Sequence, residues 1–522
     1  MLALQIDRLI GSATPPRAAG GPRLALFIGA CVLAACVLNA GLLWDPIELW
    51  DESRLAVNAL EMYQSGLSLI TTYGFTPDFW NTKPPLLIWL MVASMRLFGT
   101  SEWALRLPSA LAAFGTLAIV VGFTWRLTRS TASAVLAAIL MATSSGFFDK
   151  HASATGDYDV PLSFFTTAYT CWLFFILHRR RPRPIALLGV SILIAAAVLT
   201  KGVAGLVPGV GILVYLIATR RWARPFLSPW YMVCALIVIL VAIGFYGLRE
   251  LAGTGYLSAV AQNELGGRYS KTIAGHDPTP WWLYCHRLFG LRGSFSAAAL
   301  VLLAPLGLLW ATNRMKLGLL YVLCVSGGLL TVYSLGATKH PWYLMPAYPF
   351  LAIGMALAMN AGIRRAGGTR SLSARARSLI RTHGQTGGAL LLILLVIARL
   401  TYTEVWHYRH PSALQFEAKY NFLFDQLHRQ GIRELRVVDG GVENSERLID
   451  YTPQLRFYAL LWQSKGLATL DILPDMRAPL GRPGEIAATC DPRYSDALSH
   501  LGEEVASVLG CVAVTLPGGP DS

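Results

Sequence analysis

The feature that most constrains this chain is a series of apolar runs, most of about bilayer length, separated by short basic loops. Only 14% of the residues are charged and 54% are hydrophobic. A soluble domain carries roughly 25% charged residues. The expected fold is an all-α polytopic membrane protein with about eleven transmembrane helices and a small C-terminal soluble α/β domain. A formal charge of +14, from 44 basic and 30 acidic residues, could suit a nucleic-acid binder. The basic clusters sit in short loops between apolar runs, however, which marks cytoplasmic anchoring and excludes nucleic acid as a partner.

Arg17 and Arg23 precede the first run, Leu24–Trp44, which lacks a convincing cleavage site and reads as a retained span. Further spans follow at Pro108–Trp125, Thr131–Phe147, Val160–Leu177, Ile185–Leu199 and Val203–Ala218. The second half adds Trp230–Leu248, Ser294–Ala311, Leu317–Leu335, Tyr343–Ala361 and Gly388–Thr403. Pro85–Gly99 is apolar but only 15 residues long and holds Arg96, so it reads as interfacial or re-entrant. Each large arginine cluster then falls inside, as the positive-inside rule requires. This divides the chain into a cytoplasmic N-terminus (1–23), a transmembrane domain with outer catalytic loops (24–404) and an extracytoplasmic α/β domain (405–522). The expected location is the cell inner (plasma) membrane, with the site on its outer face.

In the C-terminal region LRVVDGG reads as strand and turn, and LIDYTPQLRFYALLW as strand or helix. EIAATC, YSDALSHLGEEVASVL and CVAVTLP read as strand, helix and strand. Cys490 and Cys511 fall here, where a disulfide is open to them if the region is exported. No CxxC or Cys/His cluster suggests zinc.

The outer loops hold the unusual polar residues: Asp51, Lys83, Asp159, Lys201, His276 and Lys339. They come from loops far apart in sequence but on one membrane face. Asp51 and Glu52 open a predicted short helix over Glu52–Met62, lying on the membrane surface with Leu55, Val57, Leu60 and Met62 apolar. These acids could simply favour the helix N-terminus. Functionally, a carboxylate there is a general base for an acceptor hydroxyl. Lys83 is either an interfacial anchor or a cation held rigid by Pro84 and Pro85 to meet a phosphate leaving group. Asp157 and Asp159 could cap the next span, and a lone histidine such as His276 is usually neither ligand nor catalyst. A lipid or solute transporter is the rival of another class. It would place its ionisable residues near mid-membrane, whereas these stand in outer loops, which favours an enzyme.

DESRLAVNALEM, NTKPPLLIWL and FGTSEWALRLPSAL resemble the opening of bacterial membrane glycosyltransferases of the C superfamily. The branch is that of the lipid A aminoarabinose transferases, akin to protein O-mannosyltransferases. LTKGVAGLVPG and TKHPWYLMPAYPFLAI resemble two further blocks, so the likeness covers about residues 24–360. It implies inverting transfer from a polyprenyl-phosphate-linked sugar to an acceptor outside the membrane, either a membrane lipid or an envelope glycan. The protein O-mannosyltransferase alternative differs in its acceptor. Carried onto matching positions, the resemblance implies Asp51 as the acceptor-activating carboxylate and Asp159 as the second catalytic acid. Lys83, Lys201 and Lys339 would surround the lipid phosphate, with Tyr343 beside them. Arg268 and His276 match the long-loop block, and Glu52 matches the second acid of the opening motif. Where aminoarabinose transferases carry an acid before the KPP lysine, this chain has Thr82. That departure puts a divalent-metal site using the acid and His276 in doubt, so the metal stays open.

Overall fold

The computed structural model describes residues 46–48, 51–142, 144, 147, 155–179, 181–223, 225, 228–267, 280–289, 295–366, 411–441, 452–467, 469–478 and 480–517. The expected spans Leu24–Trp44 and Gly388–Thr403 lie outside the described residues, as do Arg268 and His276.

The chain enters through α1 (Asp51–Ser65), a hairpin of β1 (Thr72–Tyr73) and β2 (Thr76–Pro77), and α2 (Leu86–Phe98). Then come α3 (Glu102–Thr128), α4 (Thr131–Ala142), α5 (Asp159–Leu177), α6 (Pro184–Lys201), α7 (Pro208–Ala218) and α8 (Pro229–Ala252). Short α9 (Tyr256–Val260) runs into a wide π-type turn, Ala261–Gly267. After α10 (Leu283–Phe289) come α11 (Phe295–Trp310) and α12 (Asn313–Leu335). A 3-10 segment, Pro341–Ala347, leads into α13 (Tyr348–Ala366).

Six of these helices are long and apolar enough to cross a membrane: α3, α5, α6 continued to Leu206, α8, α12, and α13 entered from Pro341. The chain is a mostly helical, multi-pass membrane protein. Its α2, α4 and α7 are apolar but shorter than a span. Val203–Ala218, expected as one continuous span, is instead a 3-10 turn followed by α7. Pro208 has no N–H to extend the preceding turn and starts a new helix.

Local chemistry explains the helix ends that matter. Ser101 caps α3, its hydroxyl accepting from Ala104 N at 3.3 Å. Pro184 opens α6, and Gly202 stops it at φ 57°, where a Cβ would lie 2.8 Å from the Tyr246 hydroxyl. This stop leaves Lys201 as the last residue of α6.

Inside the bilayer, close packing rather than water exclusion joins the helices. α13 lies almost wholly inside the bundle, while α8 exposes Leu236, Leu240, Ile243 and Leu251. α7 crosses α12 with Gly211 against Gly328, and a Cβ on Gly211 would collide with the Cys324–Val325 backbone. Gly211→Leu should therefore separate the two helices and lower the thermal midpoint, the overpacking costing about 1–3 kcal/mol or more. Gly209→Leu, with nothing within 4 Å of its Cβ, is the control and should leave the midpoint near wild type. Equal midpoints for the two variants would contradict this packing.

One end of the bundle is basic. Arg364 Nη2 donates to Thr128 O at 2.7 Å and Arg221 Nη1 to Leu177 O at 3.3 Å, so the ends of α3, α5 and α7 and the last turn of α13 gather there. Asp159 and Lys201 stand at the opposite ends of α5 and α6.

The C-terminal region holds α14 (Pro411–Arg429), β3 (Glu434–Val438), α15 (Pro453–Ser464), β4 (Thr469–Leu473) and β5 (Ile486–Thr489), then α16 (Pro492–Ser499), β6 (Glu503–Val508) and β7 (Cys511–Thr515). The sheet order is β4-β3-β5-β7-β6. β3 is parallel to both β4 and β5, and β7 is antiparallel to β5 and β6. Cys490 and Cys511 form a disulfide where β5 ends and β7 begins. The helix expected over YSDALSHLGEEVASVL ends at Ser499, and the rest pairs with β7 as a strand.

The surface helix expected over Glu52–Met62 is a correction, because every one of those residues is buried. Its apolar side shares one core with α2 and the C-terminal helices, joining Leu55 and Leu60 to Ile88, Phe424 and Tyr458. The positions that look solvent-facing in sequence are satisfied internally. Asn58 Nδ2 donates to Asp78 at 3.1 Å, and Glu61 accepts the N–H groups of Gly74 and Phe75 at 2.7 and 3.0 Å. Arg54 and Arg456 bracket the Tyr73 ring at 4.6 and 5.2 Å, linking the hairpin to the C-terminal region.

Candidate active site

Adjacent residues on a helix point about 100° apart, and at the start of α1 this separates two acids. Asp51 is exposed and lies on the wall of a polar cavity of about 430 Å³. Glu52 turns into the core and is 2% exposed. Its carboxylate accepts from Arg106 Nε at 2.7 Å and Nη2 at 2.8 Å, and from the N–H groups of Glu48 and Gly156, both at 2.7 Å. Glu52 is thus placed away from the cavity wall, as the anchor of the 155–158 segment on α1 and α3. Gly156 suits that approach, since a Cβ there would come 2.9 Å from Met91 Cε.

Behind Asp51, Arg54 grips Asp78 with Nε at 2.9 Å and Nη2 at 2.7 Å. Burial raises the Asp78 carboxyl, but the Arg54 guanidinium and donated hydrogen bonds outweigh it and hold the group below the usual carboxylate value. Asn81 Nδ2 donates to Asn58 Oδ1 at 2.9 Å and to the Tyr158 hydroxyl at 3.1 Å. This network fixes the segment that carries Lys83. Pro84 also restricts the residue before it to extended backbone, which gives Lys83 little room to wander.

Lys83 Nζ lies 5.6 Å from the centre of the Tyr158 ring and 3.7 Å from Glu264 Oε1. Lys201 Nζ donates to both Asp159 oxygens at 2.6 and 2.7 Å and lies 5.0 Å from the Tyr343 ring centre. Asp51, Lys83, Asp159, Lys201 and Tyr343 all line the polar cavity. Five sequence-derived candidates are therefore brought together. Lys339 is buried in the turn before the 3-10 segment and is on neither cavity wall, although its neighbour Thr338 lines the groove described next.

The polar cavity opens into an apolar groove of about 1810 Å³ between α5, α6, α9 and α12. Lys83, Asp159, Lys201 and Tyr343 stand where the two meet, lining both. Leu162, Val207, Val260 and Val332 are among the groove's apolar walls. A polar chamber with cations at the mouth of an apolar slot suits an amphiphile with a charged head.

Sequence reasoning missed Trp80, Asn81, Tyr158 and Trp342 as part of the polar wall, while Arg54, beside the two acids, and Glu264, in the long-loop block, stood out without an assigned role. Trp80 and Trp342 sit three residues from motif lysines, which was the available signal. The ordered pairing of Arg54 with Asp78 carried none. Among the described residues, no three His, Cys, Asp or Glu side chains gather as a metal site. Thr82, at the position where the relatives were expected to carry an acid, donates its hydroxyl to Glu264 Oε1 at 3.1 Å.

Residues 82–246 match the family described as dolichyl-phosphate-mannose-protein mannosyltransferase. The chain is 25% identical over 335 residues to the undecaprenyl phosphate-alpha-4-amino-4-deoxy-L-arabinose arabinosyl transferase of an Enterobacter species, covering 64% of this chain and 58% of that protein. The transferase of the same description from Erwinia tasmaniensis is 27% identical over 356 residues, covering 68% and 61%. The chain thus spans about three-fifths of the length of the curated relatives it matches. The crystal structure of ArnT from Cupriavidus metallidurans bound to undecaprenyl phosphate superposes with a TM-score of 0.66 at 17% identity. That match covers 96% of this chain and 100% of the other, a likeness of fold. Together these findings show that the chain resembles the C-superfamily membrane glycosyltransferases, in the group of the aminoarabinose transferases and protein mannosyltransferases.

Proposed function

We propose that this protein is an inverting glycosyltransferase that moves a sugar from a polyprenyl-phosphate donor to an extracytoplasmic acceptor, a membrane lipid or envelope glycan. The observation that carries the reading is the sharing of Lys83 and Lys201 between the polar cavity holding Asp51 and the apolar groove. The prenyl chain lies in the groove and its phosphate meets the two ammonium groups. The sugar enters the polar cavity, where Trp80, Trp342 and Tyr343 offer ring faces and Asp51 faces the acceptor.

In the transfer, Asp51 takes the proton of the acceptor hydroxyl while its oxygen attacks the anomeric carbon. The bond from that carbon to the phosphate oxygen breaks, and the electron pair leaves on the phosphate, which gains one negative charge. Lys83 and Lys201 stabilise that charge in a water-poor site. Asp159 accepts both hydrogen bonds from Lys201 and acts by holding it, so it is a positioning residue. Lys339 adds positive charge behind the wall. The family resemblance makes Arg268 and His276 further candidates for binding the donor.

The eleven-span topology, with residues 1–23 inside and 405–522 outside, fits this reading. The basic end would face the cytoplasm of the inner membrane and the site would face outward. The C-terminal region shares its core with α1, so it lies on the side of the site.

The match to the mannosyltransferase family keeps a protein acceptor as the second reading. Mass spectrometry of envelope lipids, glycans and exported proteins from deletion and complemented cells separates the two. A sugar mass lost from a lipid or glycan on deletion supports the main reading, and one lost from a protein supports the second. No sugar lost from any fraction, with the protein expressed, counts against both. Lys83→Ala should raise the KM for the lipid donor about tenfold or more, the worth of a charged hydrogen bond, without altering membrane insertion. Equal donor kinetics would remove Lys83 from the phosphate site.

A further inference from the structure

Both lysines at the mouth of the groove already face a carboxylate, but the two arrangements differ. Lys201 is held at 2.6 and 2.7 Å by Asp159, and both side chains are almost fully buried. Lys83 meets Glu264 at 3.7 Å, too long for a hydrogen bond, and the Glu264 side chain is 28% exposed. Glu264 belongs to the π-type turn Ala261–Gly267, an irregular geometry often found at functional positions. It is tied back by the Thr82 hydroxyl, and it lines the groove beside Lys83 and Lys201.

We infer that Glu264 is a placeholder for the donor phosphate: its carboxylate neutralises Lys83 in the empty site, gives way to the entering donor, and reclaims Lys83 to expel the spent carrier. This deepens the proposed function and rests on it. The charge sequence is what requires such a group. The donor is a phosphodiester with one negative charge, and the product is a phosphomonoester carrying about −1.5 to −2 near neutral pH. The transfer therefore ends with its carrier bound to the lysines more tightly than the substrate was. A carboxylate facing Lys83 at 3.7 Å competes for it and weakens both states, and its own charge beside the phosphate repels the more highly charged product more, which favours turnover. Asp159 is unsuited to this, because releasing Lys201 would take both ammonium hydrogen bonds from a buried carboxylate.

Glu264→Gln keeps an oxygen that can accept from Thr82 but removes the charge. With the purified full-length protein in lipid nanodiscs and undecaprenyl phosphate as probe, the variant should bind the probe roughly fivefold or more tightly than wild type. In steady state the KM for a polyprenyl-phosphate sugar should fall, and undecaprenyl phosphate should become a stronger product inhibitor by a similar factor. In a Lys83→Ala background most of this gain should vanish, as a double-mutant cycle reports. If wild type binds the probe and Glu264→Gln binds it equally, the placeholder is overturned and Glu264 only anchors the turn. If the gain persists in full without Lys83, competition for that lysine is overturned. If wild type does not bind undecaprenyl phosphate at all, the donor reading itself falls, and this inference with it.

Discussion

Replacing Asp51 with Asn is expected to lower the rate of sugar transfer by about two to four orders of magnitude, the usual worth of a positioned general base. Donor binding should stay within about twofold, because in the proposed arrangement Asp51 faces the acceptor while Lys83 and Lys201, on the same cavity wall, hold the phosphate. Asn is as good as Asp at a helix N-terminus, so α1 should keep its start and the protein its fold. What is lost is the capacity to take a proton. Of the two acids expected to serve catalysis, geometry favours Asp51. Asp159 is 1% exposed and both its oxygens accept from Lys201, whereas Asp51 is exposed on the cavity wall. The check is single-turnover transfer from a polyprenyl-phosphate sugar, with donor affinity measured on the same preparation. A variant that transfers at the wild-type rate would remove Asp51 as base and direct attention to Asp157, which lines the same cavity. A large loss in donor affinity instead would mean that Asp51 binds the donor.

The residues legible in sequence were those that broke a rule of membrane topology. In the expected topology Lys83 and Lys201 are cations on the face where positive charge is disfavoured, and each precedes a backbone stop, Pro84 or Gly202, that fixes its place. Lys339 gave the same signal, yet its side chain is buried off both cavity walls. Charge placement reports which face a residue is on and not which way it turns. Helical periodicity failed for a related reason at Glu52–Met62. Its polar positions looked wet, but they bond to groups that sequence distance hides: Arg106 lies 54 residues from Glu52, and Asp78 lies 24 from Arg54. The C-terminal region was legible as α/β but not in detail, because VASV is equally apolar as helix or strand until β7 is there to pair with it.

The largest structural effect is expected from Glu52→Gln. Glu52 and Arg106 are 2% and 1% exposed, so the pair is shielded from solvent. The variant would leave a buried guanidinium without its counter-charge, which costs about 3–5 kcal/mol. That corresponds to a fall of roughly 3–5 °C in thermal midpoint for a chain of 522 residues. Activity should fall with it, since the amide keeps only one acceptor oxygen and turns an NH2 group toward donors that the carboxylate held, which loosens the 155–158 segment leading to Asp157 and Asp159. Replacing both partners, Glu52→Met with Arg106→Met, removes the stranded charge and should recover much of the midpoint. It should not recover transfer, because methionine offers the Gly156 N–H no acceptor oxygen. A Glu52→Gln protein as stable as wild type but inactive would contradict the anchoring role and give Glu52 a part in the chemistry. Loss of midpoint in the single variant, partly restored in the double variant while transfer stays low, is the outcome that separates holding the loop from reacting within it.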